Sequence, residues 1–281
     1  MDVFLMKNKW IFIAIIMSLF LTPSLYAGSA CHMATFSDKQ ISYCLYSGPT
    51  PVIVLESGLG NDMNSWPKDF ILTLNRYGTI LIYNRMGHEG SFYFSTDKNK
   101  KTILAKQTAE NLHDLLHQLN IDKPVVLVGH SLGGLYMHAF ARSYPKQVAA
   151  VVLIDASSPD ENKNTPFKTQ SVLPKGSTAY REFEGIYPSD LQIRQLPPFP
   201  DVPLLIIVAN NHFPPTKRPH FEALWLKLQK KSLRFSSKSQ LIVADGSGHY
   251  IFQDQPAVVI NAILSSLQLS GEMKRDIGAR H

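Results

Sequence analysis

Charged residues make up only 18% of the 281-residue chain, and no basic cluster interleaved with aromatic residues stands out. The formal net charge is +6, but the positive residues are scattered, which is typical of a basic soluble surface. No nucleic-acid-binding module is recognisable either. We therefore expect no nucleic acid partner, and at most weak attraction to anionic membrane surfaces.

Long apolar runs are equally scarce, and the one that stands out is the uncharged run Trp10–Leu21 near the start of the chain. Two lysines precede it and small residues follow it, an order that predicts a secretory leader over residues 1–30, cleaved after about Ala27 or Ala30. The run is shorter than the roughly 20 residues that cross a bilayer, which disfavours a permanent membrane anchor. We therefore expect an exported protein, periplasmic or secreted.

Only two cysteines, Cys31 and Cys44, are present, so at most one disulfide can form within the chain. Residues 37–40 between them are typical of a turn joining two short strands, which places the cysteines on nearby rungs of a hairpin. In an oxidising compartment we expect a disulfide here, with two unpaired thiols as the alternative. Lipid attachment at Cys31 is a further alternative, because residues 28–30 vaguely resemble a bacterial lipoprotein box.

The chain contains no internal repeat. Its 44% hydrophobic residues are typical of a globular protein, and we expect one domain over residues 31–281. Apolar runs rich in β-branched residues alternate with helical patterns, which predicts βαβ units around a parallel sheet. The short strands near the two cysteines add an antiparallel edge. The predicted strands are Pro51–Leu55, Thr79–Tyr83, Pro124–Val128, Val148–Ile154, Val202–Val208 and Gln240–Ala244. The predicted helices are Ile103–Leu119, Leu132–Ser143, His220–Lys231 and Pro256–Leu269.

One stretch departs from this alternation. Residues 157–200 are polar, lack strong periodicity and hold seven of the 18 prolines. A long insertion between two strands of a compact domain is usually functional or disordered. We interpret it as a lid.

The segment Gly129–Gly133 (GHSLG) carries the clearest chemical signal, since it lies between a predicted strand and a predicted helix. G-x-S-x-G on such a tight turn is a nucleophile elbow, which makes Ser131 the expected nucleophile. A serine hydroxyl needs a base to accept its proton. His249 lies on the loop after the last predicted strand, at the same sheet edge, and is our candidate for that base.

Two other kinds of site are disfavoured. His113 and His117 lie four residues apart on a predicted helix, but no H-E-x-x-H arrangement and no further ligand cluster accompanies them. The glycines of residues 129–134 do not have the G-x-G-x-x-G spacing of a dinucleotide site. We therefore expect no metal and no cofactor.

Four motifs in order resemble the α/β-hydrolase superfamily, over nearly everything after Cys31. They are Leu55–Gly60, Tyr83–His88, Val128–Gly134, and Gly248–Tyr250 with Asp254–Pro256. The resemblance implies an α/β fold with a mostly parallel eight-stranded sheet, helices on both faces and a short lid insertion. It also implies a catalytic triad in the order nucleophile, acid, histidine.

The acid is the hardest residue to assign. Many members of the family carry it after the strand predicted at Val202–Val208, but that segment continues into residues 209–212 without a carboxylate. Other members carry it after the preceding strand, where this chain has Asp155. Asp160 and Asp245 are the competing carboxylates. We favour Asp155, because it directly follows a strand beside that of the nucleophile and could orient the imidazole.

An oxyanion hole needs two backbone N–H groups directed at the tetrahedral oxygen. The residue after the nucleophile, Leu132, is expected to supply one. The second is expected from the loop after the predicted strand Pro51–Leu55. We choose Leu59 for this N–H group, with its neighbour Gly58 as the alternative.

These residues predict a serine hydrolase that cleaves a small-molecule carboxylic ester through an acyl-enzyme. A peptidase of the proline-iminopeptidase kind, an acyltransferase and a perhydrolase are alternatives on the same fold. A ligand-binding receptor that has lost turnover is an alternative of another class. The identity of the ester and the oligomeric state are not readable from the sequence.

Overall fold

The computed structural model describes residues 30–159, 173–212 and 220–272. The predicted leader lies almost entirely outside these residues, as do Asp160 and part of the predicted lid.

One sheet of nine strands runs through the described residues, in the order β1-β2-β4-β3-β6-β7-β8-β9, with β5 also paired to β2. The strands are β1 Ala30–Thr35, β2 Lys39–Tyr46, β3 Val52–Glu56, β4 Thr79–Tyr83, β5 Phe92–Tyr93, β6 Val125–His130, β7 Val148–Ile154, β8 Leu204–Ala209 and β9 Ser239–Ala244. Along the part of this order that runs β4-β3-β6-β7-β8-β9, neighbouring strands pair in parallel. Pairs that involve β2 are antiparallel.

Helices cover both faces of the sheet. They are α1 Lys68–Leu74, α2 Thr96–Asn99, α3 Ala105–Gln118, α4 Leu132–Ser143, α5 Thr178–Gln195, α6 Phe221–Ser232, α7 Ile251–Asp254 and α8 Pro256–Leu269. Leu127 of β6 packs into the core cluster that contains residues of α3 and α4. Its neighbours Val126 and Val128 pack into the cluster that contains residues of α1 and α8. Alternate side chains of one strand therefore enter two separate cores, as a strand covered on both faces requires.

None of the described helices has the length and apolar character needed to cross a membrane.

The predicted α/β-hydrolase architecture is confirmed, with small corrections. Strands β4 and β7 and helices α4 and α8 match their predictions to the residue. The sheet has nine strands instead of eight, because the two-residue strand β5 adds to the antiparallel edge. Strand β6 runs two residues beyond the predicted end at Val128, so that His130 still pairs with Ile154 of β7.

The predicted lid contains the 18-residue helix α5, which the sequence pattern did not reveal. The buried face of α5 explains why. Apart from Ile193, its buried residues are polar or glycine, so the apolar periodicity that usually marks a helix is missing. They are Glu182, Gly185, Ser189 and Asp190.

The predicted disulfide is confirmed. Strands β1 and β2 form an antiparallel hairpin in which Cys31 faces Cys44, and their sulfurs are bonded. Lys39 and Gln40 lie at the start of β2 instead of in the turn. A sulfur in a disulfide cannot carry a thioether-linked lipid, so this pairing disfavours lipid attachment at Cys31.

Candidate active site

Ser131 occupies a sharp turn between β6 and α4. Its backbone has φ 52° and ψ −122°, a left-handed conformation that costs a non-glycine residue of order 1–3 kcal/mol. Its N–H donates to the carbonyl of Ile154 on the neighbouring strand at 3.1 Å. The sharp turn predicted around Ser131 is therefore present between β6 and α4, at the carboxyl edge of the sheet.

Glycines let the loop after β3 approach this elbow. A Cβ on Gly133, in the first turn of α4, would lie 2.5 Å from the carbonyl oxygen of Glu56 and 2.7 Å from that of Ser57. A Cβ on Gly58 would lie 3.2 Å from the Cβ of Ser131. The backbone of residues 57–61, which we call the oxyanion loop after its predicted role, therefore lies close to Ser131.

Asp155 directly follows β7 and is fully buried, with a left-handed backbone at φ 44°. Its Oδ1 accepts hydrogen bonds from the N–H of Ala209 at 3.0 Å and from Trp225 Nε1 at 2.7 Å. Its Oδ2 faces two imidazoles, Nδ1 of His249 at 2.6 Å and Nε2 of His212 at 2.5 Å. Burial alone would raise the pKa of this carboxyl, but the hydrogen bonds and charges of the two histidines outweigh burial and hold the pKa well below its usual range.

His249 is thus brought to Asp155, as the sequence predicted. Because Asp155 is ionised, Nδ1 of His249 must donate, which leaves Nε2 as the nitrogen with a free lone pair. The side chain is 36% exposed, so the imidazole lies at the border between the buried carboxylate and solvent. A general base needs this arrangement, with one nitrogen fixed and the other available.

His130 packs against the ring of His249 and contacts its backbone. Its ring centroid lies 4.7 Å from that of His249, and its Nε2 lies 3.0 Å from the His249 carbonyl oxygen. Burial lowers the pKa of His130 to about 3, so the ring is neutral and its Nε2–H donates to that carbonyl. This bond fixes the backbone that carries His249.

The competing carboxylates have other surroundings. Asp245 is exposed, and its Oδ1 accepts from Asn210 Nδ2 at 2.7 Å. Asp254 accepts from the N–H of Gly248 at 2.9 Å and so holds the loop that carries His249. Asp160 lies outside the described residues. Asp155 is the carboxylate that the described structure places on Nδ1 of His249.

His212 is the residue that the sequence reasoning missed. It follows β8, in the place where many relatives carry the acid, and its Nδ1 lies 2.7 Å from Glu222 Oε2 of α6. The signal was its position after a strand at the same edge as Ser131, Asp155 and His249. His212 was not considered because only a carboxylate was expected at this place.

The described residues contain one group whose side chains are of the types that bind metal ions, with donor atoms within 4.8 Å of one another. It consists of Asp155, His212 and His249. Both nitrogens approach the same Asp155 oxygen at 2.5 and 2.6 Å. Such distances are those of charge-assisted hydrogen bonds with a proton between the atoms. We therefore interpret the group as a hydrogen-bonded network and not as a metal centre.

A buried arginine organises the oxyanion loop. Arg85 donates to the carbonyl oxygens of Ser57 at 2.9 Å and Gly58 at 2.8 Å. Its guanidinium also pairs with Glu56 at 2.6 Å and with Glu182 of α5 at 2.7 Å. Glu182 in turn accepts the N–H of Gly60 at 2.7 Å. The oxyanion loop is therefore fixed from the sheet side by Arg85 and from the helix α5 side by Glu182.

The predicted oxyanion donors lie in suitable places. Leu132 is the first residue of α4, where a backbone N–H has no acceptor within the helix. In the described part of the chain, the N–H groups of Leu59 and Gly58 have no hydrogen-bond acceptor either. The choice of Leu59 over Gly58 stays a prediction.

Sequence comparisons find relatives over parts of the chain. An uncharacterized protein of Mycobacterium tuberculosis is 32% identical over 133 residues, which cover 47% of this chain and 37% of the relative. Methylesterase 1 of Arabidopsis thaliana is 36% identical over 88 residues, 30% of this chain and 33% of the relative. The matches thus span well under half the length of these two relatives.

Structural comparison extends the likeness to most of the chain. A thermophilic esterase from Thermogutta terrifontis superimposes with a TM-score of 0.59 at 20% identity, over 87% of this chain and 99% of the esterase. At that identity the likeness concerns the fold alone. The family model described as the alpha/beta hydrolase fold matches residues 51–204, which is more than half of the chain. The chain therefore belongs to the α/β-hydrolase fold family.

Proposed function

We propose that the protein is a serine hydrolase that cleaves a small-molecule carboxylic ester, with Ser131 as nucleophile, His249 as base and Asp155 as acid. The observation that carries the proposal is the 2.6 Å contact between Asp155 Oδ2 and His249 Nδ1 at the sheet edge where Ser131 turns into α4. A buried ionised carboxylate on Nδ1 orients the imidazole and stabilises its protonated form.

The reaction follows from these positions. His249 Nε2 takes the hydroxyl proton as the oxygen of Ser131 attacks the ester carbonyl carbon. The oxyanion that forms is held by the N–H groups of Leu132 and Leu59. Collapse of the intermediate expels the alcohol, which receives the proton from His249, and leaves an acyl-enzyme. Water then attacks in the same way and releases the acid and the free serine, so no cofactor is needed.

Helix α5 supports the interpretation of residues 157–200 as a lid. Its residue Glu182 reaches the oxyanion loop through the N–H of Gly60, so this part of the insertion lies beside the proposed site. A lid that contacts the oxyanion loop can shape the space above Ser131 and exclude water.

The names of relatives favour ester hydrolysis over the other chemistries of the fold. Methylesterases 1 and 3 of Arabidopsis thaliana are among the relatives that this chain resembles in sequence. Peptide hydrolysis, acyl transfer and perhydrolysis use the same three residues, so the leaving group and the acceptor decide between them.

A fluorophosphonate probe followed by peptide mass spectrometry tests the nucleophile. We expect the label on Ser131, with no label in Ser131→Ala and full labelling in the matched variant Ser143→Ala at the other end of α4. A panel of p-nitrophenyl esters of increasing acyl length, run beside amide substrates, then identifies the leaving group. An unlabelled wild type with no turnover in the panel favours the ligand-binding alternative.

We also propose that the protein is exported and that residues 1–30 form a cleaved leader. The disulfide between Cys31 and Cys44 supports an oxidising compartment. The intact mass of protein recovered from outside the cytoplasm measures this directly. We expect a mature chain that begins close to Gly28 or Cys31, and an uncut leader on soluble cytoplasmic protein would contradict the proposal.

A further inference from the structure

His212 is enclosed between two carboxylates. Its Nε2 lies 2.5 Å from Asp155 Oδ2 and its Nδ1 lies 2.7 Å from Glu222 Oε2. The other oxygen of Glu222 accepts the backbone N–H of His212 at 2.8 Å. The side chains of His212 and Asp155 are 6% and 0% exposed, so their contact is shielded from water, while Glu222 is 28% exposed and lies nearer to solvent.

Two carboxylate partners demand two ring protons. A neutral imidazole carries one N–H and one lone pair, so it would direct a lone pair at one of the two carboxylates. The imidazolium form donates to both. The rings of Phe221 and Trp225 meet the His212 ring edge to face, with centroids 5.1 and 5.7 Å away, so apolar rings pack against the imidazole.

His212 and His249 share one acceptor atom, Asp155 Oδ2. Their ring centroids are 6.0 Å apart. A positive charge on His212 therefore repels a second positive charge on His249 and neutralises part of the field of Asp155. The titratable groups that face His212 in the described structure are Asp155 after β7, Glu222 of α6 and His249 after β9.

We propose that His212 is a positioning residue, held as an imidazolium between Asp155 and Glu222, which sets the pH at which His249 can accept the proton of Ser131. The inference rests on the proposed function for its catalytic consequence. Without the charge of His212, the negative charge of Asp155 at His249 Nδ1 would be uncompensated. His249 would then hold its proton at higher pH and be unable to act as a base there.

The electrostatics of His212 agree with the geometry. Burial lowers the pKa of its ring, but the hydrogen bonds and charges of Asp155 and Glu222 outweigh burial, and the pKa ends above its ordinary value. A raised histidine pKa means that the charged form persists to higher pH than in an ordinary histidine.

The pH dependence of kcat/KM in His212→Gln tests the catalytic consequence. Glutamine can still donate an N–H to Asp155 but carries no charge. We expect the acid limb of the profile to move up by about one pH unit, since an adjacent charge shifts a titration by about that much or more. On the plateau above the limb, the loss should stay below about tenfold. The exposed residue His117 provides the control, and His117→Gln should leave the profile in place.

A uniform loss of kcat/KM in His212→Gln with an unmoved acid limb would show a merely structural role and overturn the proposal. The charge itself is measured by nitrogen-15 NMR of the histidine rings in the full-length wild type at pH 7. We expect two ring N–H protons for His212, assigned through proximity to Trp225. A single ring proton would overturn the proposal, even if His212→Gln failed to fold.

The two proposals fail in different ways. If Ser131 resists the fluorophosphonate probe and no ester turns over, the proposed function fails, while the NMR measurement still decides the charge of His212. If the wild type hydrolyses esters and the acid limb of His212→Gln coincides with that of the wild type, only the role of His212 is refuted.

Discussion

At the scale of single residues, the carboxylate of Asp155 joins the parts of the candidate site. Its two oxygens accept four hydrogen bonds from three segments of the chain, the end of β8 with the residues after it, α6 and the loop after β9. A substitution of Asp155 that keeps the shape of its side chain should therefore alter these hydrogen bonds while leaving the packing around it unchanged.

We therefore predict that Asp155→Asn retains the fold but lowers kcat by up to about 10⁴, because an amide facing Nδ1 favours the wrong tautomer of His249. Steady-state kinetics on the best p-nitrophenyl ester measures this, with circular dichroism to verify folding. Asp245→Asn is the matched control, since Asp245 contacts Asn210 and not His249. It should cost less than about tenfold, and a larger loss than in Asp155→Asn would move the acid to Asp245.

At the scale of elements, helix α5 is attached to the rest of the domain through buried polar groups. Glu182 contacts Arg85, His88 and the backbone of Gly60. Burial raises the pKa of Glu182, but Arg85, His88 and Gly60 outweigh burial and lower the pKa overall. The carboxylate is therefore ionised, and the helix is held by charge where apolar contacts are few.

Glu182→Gln should lower the free energy of unfolding by about 3–5 kcal/mol, because it leaves a buried guanidinium with one partner fewer. Urea denaturation at pH 7 measures the loss. Glu184→Gln, two residues along the same helix and exposed, should change stability by less than about 0.5 kcal/mol. Equal losses in the two variants would mean that the ion pair does not hold α5.

At the scale of the whole molecule, stability should depend on pH through buried histidines. Burial lowers the pKa of both His130 and His138 to about 3. Between about pH 6.5 and 4 the unfolded chain protonates these rings while the folded chain does not, so acid favours unfolding. His212 has a raised pKa, so its contribution is complete below the ordinary histidine pKa and does not change in this window.

We predict that the free energy of unfolding falls by about 3 kcal/mol per pH unit between pH 6 and 4.5, the effect of about two protons. His138→Leu should reduce the slope by about 1.4 kcal/mol per pH unit, because one proton fewer is taken up on unfolding. The ring of His138 is packed between Phe199 and Phe235, so an apolar replacement suits the site. Urea denaturation across the pH series measures the slopes. His117→Leu on the surface should leave the slope unchanged, and equal slopes in all three proteins would refute the assignment.

The sequence was most informative where a local pattern decides a local structure. The turn around Ser131 was predicted from the spacing of its glycines and from the strand and helix on either side. Strand β7 and helix α4 were predicted because each is a continuous stretch with the hydrophobic pattern of its own kind of element. The position of Asp155 beside His249 followed from the rule that parallel strands end at one edge. Such features need no knowledge of distant partners.

The rest depended on pairs far apart in the chain. Glu182 and Arg85 are 97 residues apart, and no periodicity links them. Helix α5 escaped detection because its buried face is polar, and polar burial is stable only when partners supplied by other elements satisfy it. His212 was missed because its role depends on Glu222 and Asp155, neither of which a local pattern could associate with it.

The position of β9 has a consequence for how the molecule loses its proposed activity on heating. In the described sheet β9 is the last strand and pairs only with β8, while the loop after it carries His249. Detaching an edge strand disrupts one ladder of hydrogen bonds and leaves the other parallel pairs intact, so edge segments can open locally below the temperature of global melting. Fraying of β9 would carry the imidazole away from Asp155 while Ser131 stayed on its turn. Thermal inactivation would then begin as a reversible local event at one margin of the sheet, before the core unfolds.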